Sequence, residues 1–426
     1  MNQYENIPSQ EDDPIDSKVV KRHFPRTNNN QVLDFVFEKD PNLFLRKNKI
    51  LIHGRVAIDD KYIPECGFVA KLFGMLTIDV DSHTISSNRA KYDIILKFII
   101  SRNFRGEYFL TDYLQKIGNF NTSTMETMYQ SEGYHDIYNY DMAQINSLSS
   151  TKLIDGRKRS GVVNGTKRIY EFMFIPNDGF LNSNMVLLNN TELKLSFDRN
   201  FAEVSLLKKA GDVPTNSLGN KPIEIKDCYA ITEYISSEHL RRHFEQIDTS
   251  PLIYHYEQIE VTMKNLPLNE SVIRLDNLKG GNVPICLFAG LIPTRSLNGD
   301  FAQSSNQFMN HNIIHFNITL NGNSVNGYPI EINNDSPVQC YTKFYDVTNR
   351  LMNPYASQAM VWAQFKYNWL FAHRFEAEQT KQGWIGINFK LSTPFSVPCT
   401  LVMWTVQNTA ISIDKFHQIE RLQIND

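Results

Sequence analysis

The histidine pairs are the first residues whose spacing could support chemistry. His239 and His243 are four residues apart, and so are His311 and His315. On a helix this spacing would place two imidazoles on one face, where they could bind a metal ion. His311 and His315 enter an alternating segment, however, in which residues four apart are separated by about 13 Å. His239 and His243 flank two arginines, whose charge opposes a bound cation, so we interpret both pairs as surface or interface histidines and predict no metal site.

An aromatic and acidic segment is the second candidate. Residues Tyr134–Asp141 read Tyr-His-Asp-Ile-Tyr-Asn-Tyr-Asp. Carboxylates beside aromatic rings could form a sugar site, with the rings as stacking platforms. Tyrosine is also enriched at protein interfaces. We favour the interpretation that this segment is a loop whose tyrosines pack against a neighbouring subunit.

Two basic stretches are the third candidate. They are Arg157-Lys158-Arg159 and Lys167-Arg168. Such clusters can act as nuclear-localisation signals or contact phosphates. A solvated loop is the favoured interpretation of both.

Motifs that would specify a reaction are absent from the sequence. There is no Walker loop, no HExxH or GxSxG motif, and no DxDxDG calcium loop. Glycines and a lysine occur between Gly211 and Lys221, but their spacing does not match a phosphate-binding loop. We therefore predict no catalytic residue, no cofactor-binding residue and no metal ligand, and we do not expect an enzyme.

The composition limits the class of protein. The chain has 426 residues, of which 42% are hydrophobic, enough for two large β domains. Its 43 basic and 46 acidic residues nearly balance, and no long basic tail is present, so specific nucleic-acid binding is not expected. The start of the sequence is polar and acidic, which does not resemble a signal peptide. Synthesis in the cytosol is expected.

The cysteines agree with a reducing compartment. Five are scattered along the chain, and none form a CxxC pair. Neither a disulfide framework nor a zinc ribbon is supported by this pattern. We predict buried or half-buried thiols at Cys66, Cys228, Cys286, Cys340 and Cys399.

Alternating segments dominate the rest of the chain. Apolar residues recur at every second position in several runs, which predicts strands with one buried face. Asn321-Gly322 directly follows one of these runs and predicts a hairpin. The runs include Lys49–Asp59, Leu76–Val80, Leu193–Phe197, Ile259–Met263, Ile314–Leu320 and Ile385–Leu391.

Helical patterns are few. Asn88–Ser101 and Ser237–Ile247 have apolar residues at i, i+3 or i+4, and i+7, which predicts one helix each. Ser236 or Ser237 is the expected cap of the second helix. Many short strands with few helices favour an all-β fold of sandwiches.

The organisation of the chain follows from these patterns. We expect a mobile N-terminal arm over residues 1–27, a first domain over 28–248 and a second over 249–426. The boundary follows the predicted helix, near Asp248–Pro251. The segments Phe104–Asn164 and Ala202–Asn220 are expected to be outward or inter-subunit loops.

Several segments, taken in order, resemble a known family. In the first half, Leu43–Gly54 resembles the opening strand pair, and Val69–Val80 resembles a strand that leads into a turn and helix. Glu171–Pro176 and Leu187–Leu193 resemble the late strands. In the second half, Tyr256–Met263 resembles the first strand. Further matches are Asn298-Gly299, Asn312-Ile313, Tyr328-Pro329-Ile330, Gly383–Leu391, Leu401–Trp404 and Ile411–Asp414.

On these segments the chain resembles the major capsid proteins of Polinton/Maverick elements and adintoviruses. The resemblance implies two eight-stranded jelly rolls side by side, with a few short helices in loops. It further implies homotrimers with a pseudo-hexagonal outline, which contact neighbouring capsomers, penton proteins and minor capsid proteins in an icosahedral shell. The expected location is the virion, after synthesis in the host cytoplasm and assembly there or in the nucleus. Deletion of residues 1–25 is expected to impair assembly without unfolding the trimer.

Other classes of protein remain open from the residues alone. One is a carbohydrate-binding or hydrolytic β-sandwich with its site at Tyr134–Asp141, and glycan binding by a soluble monomer would identify it. Another is a minor shell component such as a penton, which usually needs a single roll. A third is a capsid-derived protein that a host has retained.

Overall fold

The computed structural model of the chain describes most of both halves. The described residues are 15–29, 31–59, 62–64, 68–88, 162–176, 178–183, 185–208, 222–245, 251–299, 308, 312–332, 338–348, 369–375, 382–414 and 416–422.

Within the described residues, thirteen strands come before the predicted domain boundary near Asp248 and ten come after it. The first group is β1 Ser17–His23, β2 Thr27–Asn28, β3 Val32–Phe37, β4 Phe44–Leu45, β5 Leu51–Asp59, β6 Tyr62–Pro64, β7 Phe73–Val80, β8 His83–Asn88, β9 Val162–Asn164, β10 Lys167–Phe174, β11 Leu193–Arg199, β12 Leu206–Lys208 and β13 Ile223–Ser236. The second group is β14 Leu252–Asn265, β15 Val272–Asn282, β16 Cys286–Pro293, β17 Ile313–Leu320, β18 Asn323–Ser324, β19 Ile330–Glu331, β20 Phe371–Arg374, β21 Gln382–Leu391, β22 Cys399–Ile413 and β23 Ile419–Leu422.

Helices in the described residues are short and lie between strands. They are α1 Phe68–Lys71, α2 Gly179–Asn182, α3 Ala202–Ser205, α4 Glu238–Glu245, α5 Thr294–Asn298 and α6 Val338–Val347, with a 3₁₀ turn at Lys47–Lys49.

Each half of the chain folds as a jelly roll, and the two rolls have the same strand order. In the first roll the sheet β1-β13-β5-β10 faces the sheet β3-β11-β7-β8. In the second roll the sheet β14-β22-β16-β20 faces the sheet β15-β21-β17-β18. If the eight strands of a roll are counted in chain order, both rolls pair them as 1-8-3-6 and 2-7-4-5. The all-β prediction of two eight-stranded jelly rolls is confirmed.

Period-two patterning explains how each roll closes around a core. In the first roll Phe35, Leu195 and Ile78 lie side by side on β3, β11 and β7, and all three are buried. In the second roll Phe316 lies opposite Phe389, and its ring stacks on Phe371 of the facing sheet. Apolar side chains on one face of every central strand thus fill the space between two sheets.

Two local predictions are confirmed. Asn321 and Gly322 both have positive φ, 53° and 81°, and they connect β17 to β18 as a hairpin turn. The helix predicted over Ser237–Ile247 is α4, and the Ser237 hydroxyl accepts a hydrogen bond from the Leu240 amide at 3.3 Å as its cap. For the helix predicted over Asn88–Ser101, residues 89–101 lie outside the described part of the chain.

The predicted N-terminal arm is wrong over its second half. Residues Ser17–His23 form β1, which is the first strand of the first roll and pairs with β13 along its whole length. We expected the opening strand pair of the first roll at Leu43–Gly54. Strand β5, which begins in this segment, is instead the third of the eight strands. Strand β1 lies at a sheet edge with both faces largely exposed, so it lacks the alternating apolar signal.

The predicted loops also differ in part from the structure. Within Ala202–Asn220, residues 202–208 form α3 and β12, and β12 pairs with β6. At the end of Phe104–Asn164, residues 162–164 form β9, which pairs with β10. The remainder of both segments lies outside the described residues.

Candidate functional site

The best-defined candidate site is the contact between the two rolls, which we call the roll junction. It is formed by the Lys47–Lys49 turn, the β7–β8 turn and α2 of the first roll, with the start of β14, the end of β22 and β23 of the second. Leu252 and Tyr254 of β14 belong to the same buried cluster as the core of the first roll, and so do Ile411 and Ile413 of β22. The two rolls therefore share a continuous apolar interior at this point.

Tyr254 is the central side chain of the roll junction. It is 0% exposed, and its phenol oxygen accepts a hydrogen bond from the Leu188 amide of the first roll at 3.0 Å. Its ring meets Phe180 of α2 edge to face, with the centroids 5.8 Å apart. Burial raises the pKa of Tyr254 well above its usual value, so the phenol stays neutral.

A glycine allows the two backbones to approach at this point. A Cβ atom on Gly179 would lie 1.5 Å from the carbonyl oxygen of Glu257 on β14. No side chain fits there, so glycine is required by close approach rather than by a positive φ.

Lys47 is a buried lysine in the same place. Its Nζ donates a hydrogen bond to the Ser183 carbonyl at 2.9 Å and contacts the Ser183 hydroxyl. It also lies 5.0 Å from the centroid of the Phe180 ring. Burial lowers the pKa of Lys47 to about 7, although the negative charge of Asp178 opposes this shift.

Asp178 joins α2 to the sheet behind it. One carboxylate oxygen accepts from the Phe180 amide at 2.9 Å as the cap of α2, and the other accepts from the Ser86 hydroxyl at 2.7 Å. Ser86 lies on β8, so this carboxylate fixes α2 to β8.

Asp81 connects the C-terminal hairpin of the second roll to the first. Its carboxylate lies 2.8 Å from Nζ of Lys39 and 3.0 Å from Nδ1 of His417. Nearby, the Arg421 guanidinium of β23 donates to the Ile85 carbonyl at 2.7 Å. These polar contacts fix the orientation of one roll relative to the other, which is a mechanical role.

Those sequence candidates that the structure describes lie outside the roll junction. His239 is exposed on α4, and His243 also belongs to that helix. His315 lies on β17 with its Nε2 3.6 Å from Glu331. His311, Arg157–Arg159 and Tyr134–Asp141 lie outside the described residues.

One of these interpretations is wrong. Lys167 and Arg168 were expected in a solvated loop, but they begin strand β10. Lys167 forms an ion pair at 3.1 Å with Glu224 of β13 across the outer face of the sheet. Charged residues on that face resemble a loop sequence because one side of the strand is in water.

The described residues offer neither a cluster of metal ligands nor a membrane-spanning helix. They contain no group of three or more His, Cys, Asp or Glu side chains that could hold a metal ion. None of the helices in the same ranges is long and apolar enough to cross a bilayer.

The described cysteines behave as the sequence predicted. Cys228, Cys286, Cys340 and Cys399 are buried thiols, whereas Cys66 lies outside the described ranges. Burial raises the pKa of Cys228, Cys340 and Cys399 to about 12, so these thiols remain protonated.

Comparisons with known proteins give matches in structure alone. No protein-family model matches the chain, and no curated protein does. The PBCV-1 virus capsid aligns over 96% of this chain and 97% of its own, with a TM-score of 0.55 and 10% identity. A chain from the structure of the Sputnik virophage aligns over 96% of this chain and 88% of its own length, with a TM-score of 0.60 and 11% identity. The mavirus major capsid protein aligns over 99% and 94%, with a TM-score of 0.53 and 11% identity.

These neighbours are structural capsid proteins rather than enzymes, and each alignment covers at least 88% of both chains. At such low identity the similarity establishes the fold. The chain therefore has the double jelly-roll fold of major capsid proteins from giant viruses and virophages.

Proposed function

We propose that the chain is a major capsid protein that forms homotrimers with a pseudo-hexagonal outline and tiles an icosahedral virus shell. The observation that carries this proposal is the alignment of nearly the whole chain, including both rolls, with capsid proteins from several viruses. A single roll would fit many kinds of β protein, but two rolls in this order are much more specific.

The roll junction supports a mechanical function. Its contacts combine a shared apolar core with buried hydrogen bonds, which oppose movement of one roll against the other. A rigid block with two similar halves lets three chains present six similar sides. Six similar sides suit a hexagonal lattice without requiring six identical chains.

The finer features of the proposal rest on the resemblance in sequence. The Polinton/Maverick and adintovirus type is supported by the ordered segments from Leu43–Gly54 to Ile411–Asp414. Penton and minor capsid proteins are the proposed partners, and the virion is the proposed location. We propose a boundary between the rolls near Asp248, with the first roll beginning at Ser17 rather than after residue 27.

Solution mass and imaging test this proposal. Light scattering on the purified chain should give about three times 49.3 kDa, and negative-stain images of the same fraction should show hexagonal outlines or closed shells. A chain that remains monomeric at every protein concentration measured would contradict the proposal.

A further inference from the structure

The second roll contains a buried histidine on an edge strand. His373 lies on β20, the last strand in the sheet β14-β22-β16-β20. It is on the same face of β20 as Phe371, whose ring stacks on Phe316 of the facing sheet, so it points into the roll. His373 is 4% exposed, and the rings of Tyr328 and Phe375 meet it edge to face with centroid distances of 5.8 and 4.7 Å. Aromatic groups thus enclose the imidazole.

The Nε2 atom of this imidazole is buried and has no hydrogen-bond partner in the described part of the chain. The half-buried histidines in the described ranges differ, because a ring nitrogen of each lies within 3.6 Å of a polar side chain. These pairs are His23 with Thr232, His53 with Glu171, His315 with Glu331 and His417 with Asp81. A buried imidazole without an acceptor is tolerated when neutral, but its charged form is strongly disfavoured.

Two cations accompany His373. Lys343 of α6 reaches Gly327 at the edge of the roll, and its positive charge acts on the imidazole. Arg374, the next residue of β20, donates a hydrogen bond to the Val347 carbonyl of α6 at 2.8 Å. Burial and then the charge of Lys343 lower the pKa of His373 to about 4.

The other titratable groups of the surrounding elements do not compensate. Cys340 of α6 and Tyr328 are buried, which raises the pKa of both, so they stay neutral in acid. Asp346 of α6 and Glu331 of β19 are exposed. The neighbouring strand β16 places the uncharged Leu287 beside the histidine. An imidazolium at this position would therefore have no counterion among the described residues.

The segment that could release the histidine is small. Strand β20 has four residues, and within the described part of the chain it pairs with β16 alone. Helix α6 packs on the opposite face of this sheet, where Phe344 meets Phe288 of β16 edge to face at 5.9 Å. The Tyr328 phenol donates to the Ala372 carbonyl of β20 at 2.8 Å. Detachment of β20 together with α6 would bring His373 into water and leave the central strands of both sheets paired.

We propose that α6 and β20 form an acid-sensitive flap of the second roll, which opens when His373 gains a proton. Protonation favours every conformation in which the imidazolium reaches water. Opening exposes Phe288, Phe344 and Phe371, so acid converts a closed part of the roll into an apolar surface. This change takes place within one chain and does not depend on the proposed trimer.

The direction and size of the effect follow from proton linkage. A histidine in water has a pKa of 6.5, whereas His373 in the closed flap has a pKa of about 4. Between these values the open flap binds more protons than the closed flap, so acid stabilises the open state. The opening equilibrium should rise about twentyfold from pH 7 to pH 5 and level off below pH 4.

Hydrogen exchange followed by mass spectrometry tests the flap in the full-length chain. Peptides from residues 338–348 and 369–375 report on the flap, and peptides from β5 of the first roll serve as the reference. Rates at pH 7 and pH 5 are corrected for the intrinsic dependence of exchange on pH. After this correction the flap should exchange about twentyfold faster at pH 5, whereas β5 should change by less than about threefold.

Four variants identify the group that titrates. His373→Leu conserves the side-chain volume, and His373→Gln keeps a polar side chain that does not titrate; each should abolish the acid effect. Lys343→Met removes the repelling charge and should reduce the effect. His315→Gln is the matched control, because His315 is a half-buried histidine of the same roll that has Glu331 as its partner. It should retain the full change.

The results decide between the flap and other origins of acid sensitivity. A wild-type flap that shows no change between pH 7 and pH 5, or the same change as β5, would overturn the proposal whatever the variants show. An acid effect that persists in folded His373→Leu or His373→Gln would also overturn it, since another group would then be responsible. Loss of the effect in these variants and its retention in His315→Gln would support it. A monomeric wild type would contradict the proposed function but leave the flap unaffected.

Discussion

The Leu188 amide of the first roll donates a hydrogen bond at 3.0 Å to the phenol oxygen of Tyr254 in the second. Both residues are buried, so neither group has water as an alternative partner. Replacement of Tyr254 by Phe would keep the ring and leave the amide unsatisfied. The free energy of unfolding should fall by about 1–3 kcal/mol in urea denaturation. Tyr229→Phe is the control and should change it by less than about 0.5 kcal/mol; equal effects of both substitutions would contradict the importance of this bond.

Gly179 should tolerate no side chain. A Cβ atom there would lie 1.5 Å from the Glu257 carbonyl oxygen, so Gly179→Ala must separate α2 from β14. We expect a loss of about 3 kcal/mol or more in unfolding free energy. Gly280→Ala meets only an ordinary contact at 3.5 Å and should be nearly neutral. A Gly179→Ala variant as stable as the wild type would show that the rolls do not approach this closely.

The buried Lys47 should make stability depend on pH. Its pKa is about 7 in the folded chain and about 10.5 when exposed. Between these values the unfolded chain binds more protons than the folded chain, so stability should rise with pH over this range. Below pH 7 both states are protonated, and the unfavourable burial of the charge is fully present.

Comparison with Lys47→Met isolates this contribution from other groups that titrate. Unfolding free energies of both proteins should be measured from pH 6 to pH 10. The wild type should gain stability relative to the variant as pH rises above about 7. Parallel curves for the two proteins would rule out a titration of Lys47 in this range.

Two substitutions of Asp81 distinguish the effect of its charge from the effect of its hydrogen-bond acceptor in the turn. Asp81→Asn keeps the side-chain acceptor for the Glu192 amide, but it removes the charge that faces Lys39 and His417. We expect a loss of about 1 kcal/mol for Asp81→Asn and a larger loss for Asp81→Ala, which removes the acceptor as well. Urea denaturation of both variants checks this order, and a larger effect of Asp81→Asn would contradict it.

Truncation tests the role of β1. The expectation from sequence, that deletion of residues 1–25 leaves the trimer folded, is replaced by the opposite expectation, because this deletion removes a strand paired along seven residues with β13. Deletion of residues 1–14 leaves all of β1 and should leave the melting temperature unchanged. Unchanged melting of the longer truncation would show that β1 is dispensable for the first roll.

Period-two runs carried most of the information on the fold. The central strands were predicted because one face is apolar and the other polar, as in Ile385–Leu391, where four alternate residues are buried. Edge strands gave no such pattern. Ser17–His23 reads as a polar arm since both of its faces are largely exposed, although its pairing with β13 makes it part of the roll.

The roll junction was not predicted, because it depends on contacts between residues far apart in the sequence. Lys47 lies in an ordinary polar stretch, and only folding brings it to Ser183 and Phe180. The alternating run Leu76–Val80 predicted the strand that leads into the turn at Asp81-Ser82. Its partner His417 was not readable, since it is separated from Asp81 by 336 residues.

The two rolls of one chain cannot take independent places around a ring. They are covalently joined and share a buried core, so a closed ring built from whole chains contains an even number of rolls. Three chains of the proposed trimer supply six rolls and satisfy this condition. A ring of five rolls in the proposed shell would therefore need a chain with a single roll.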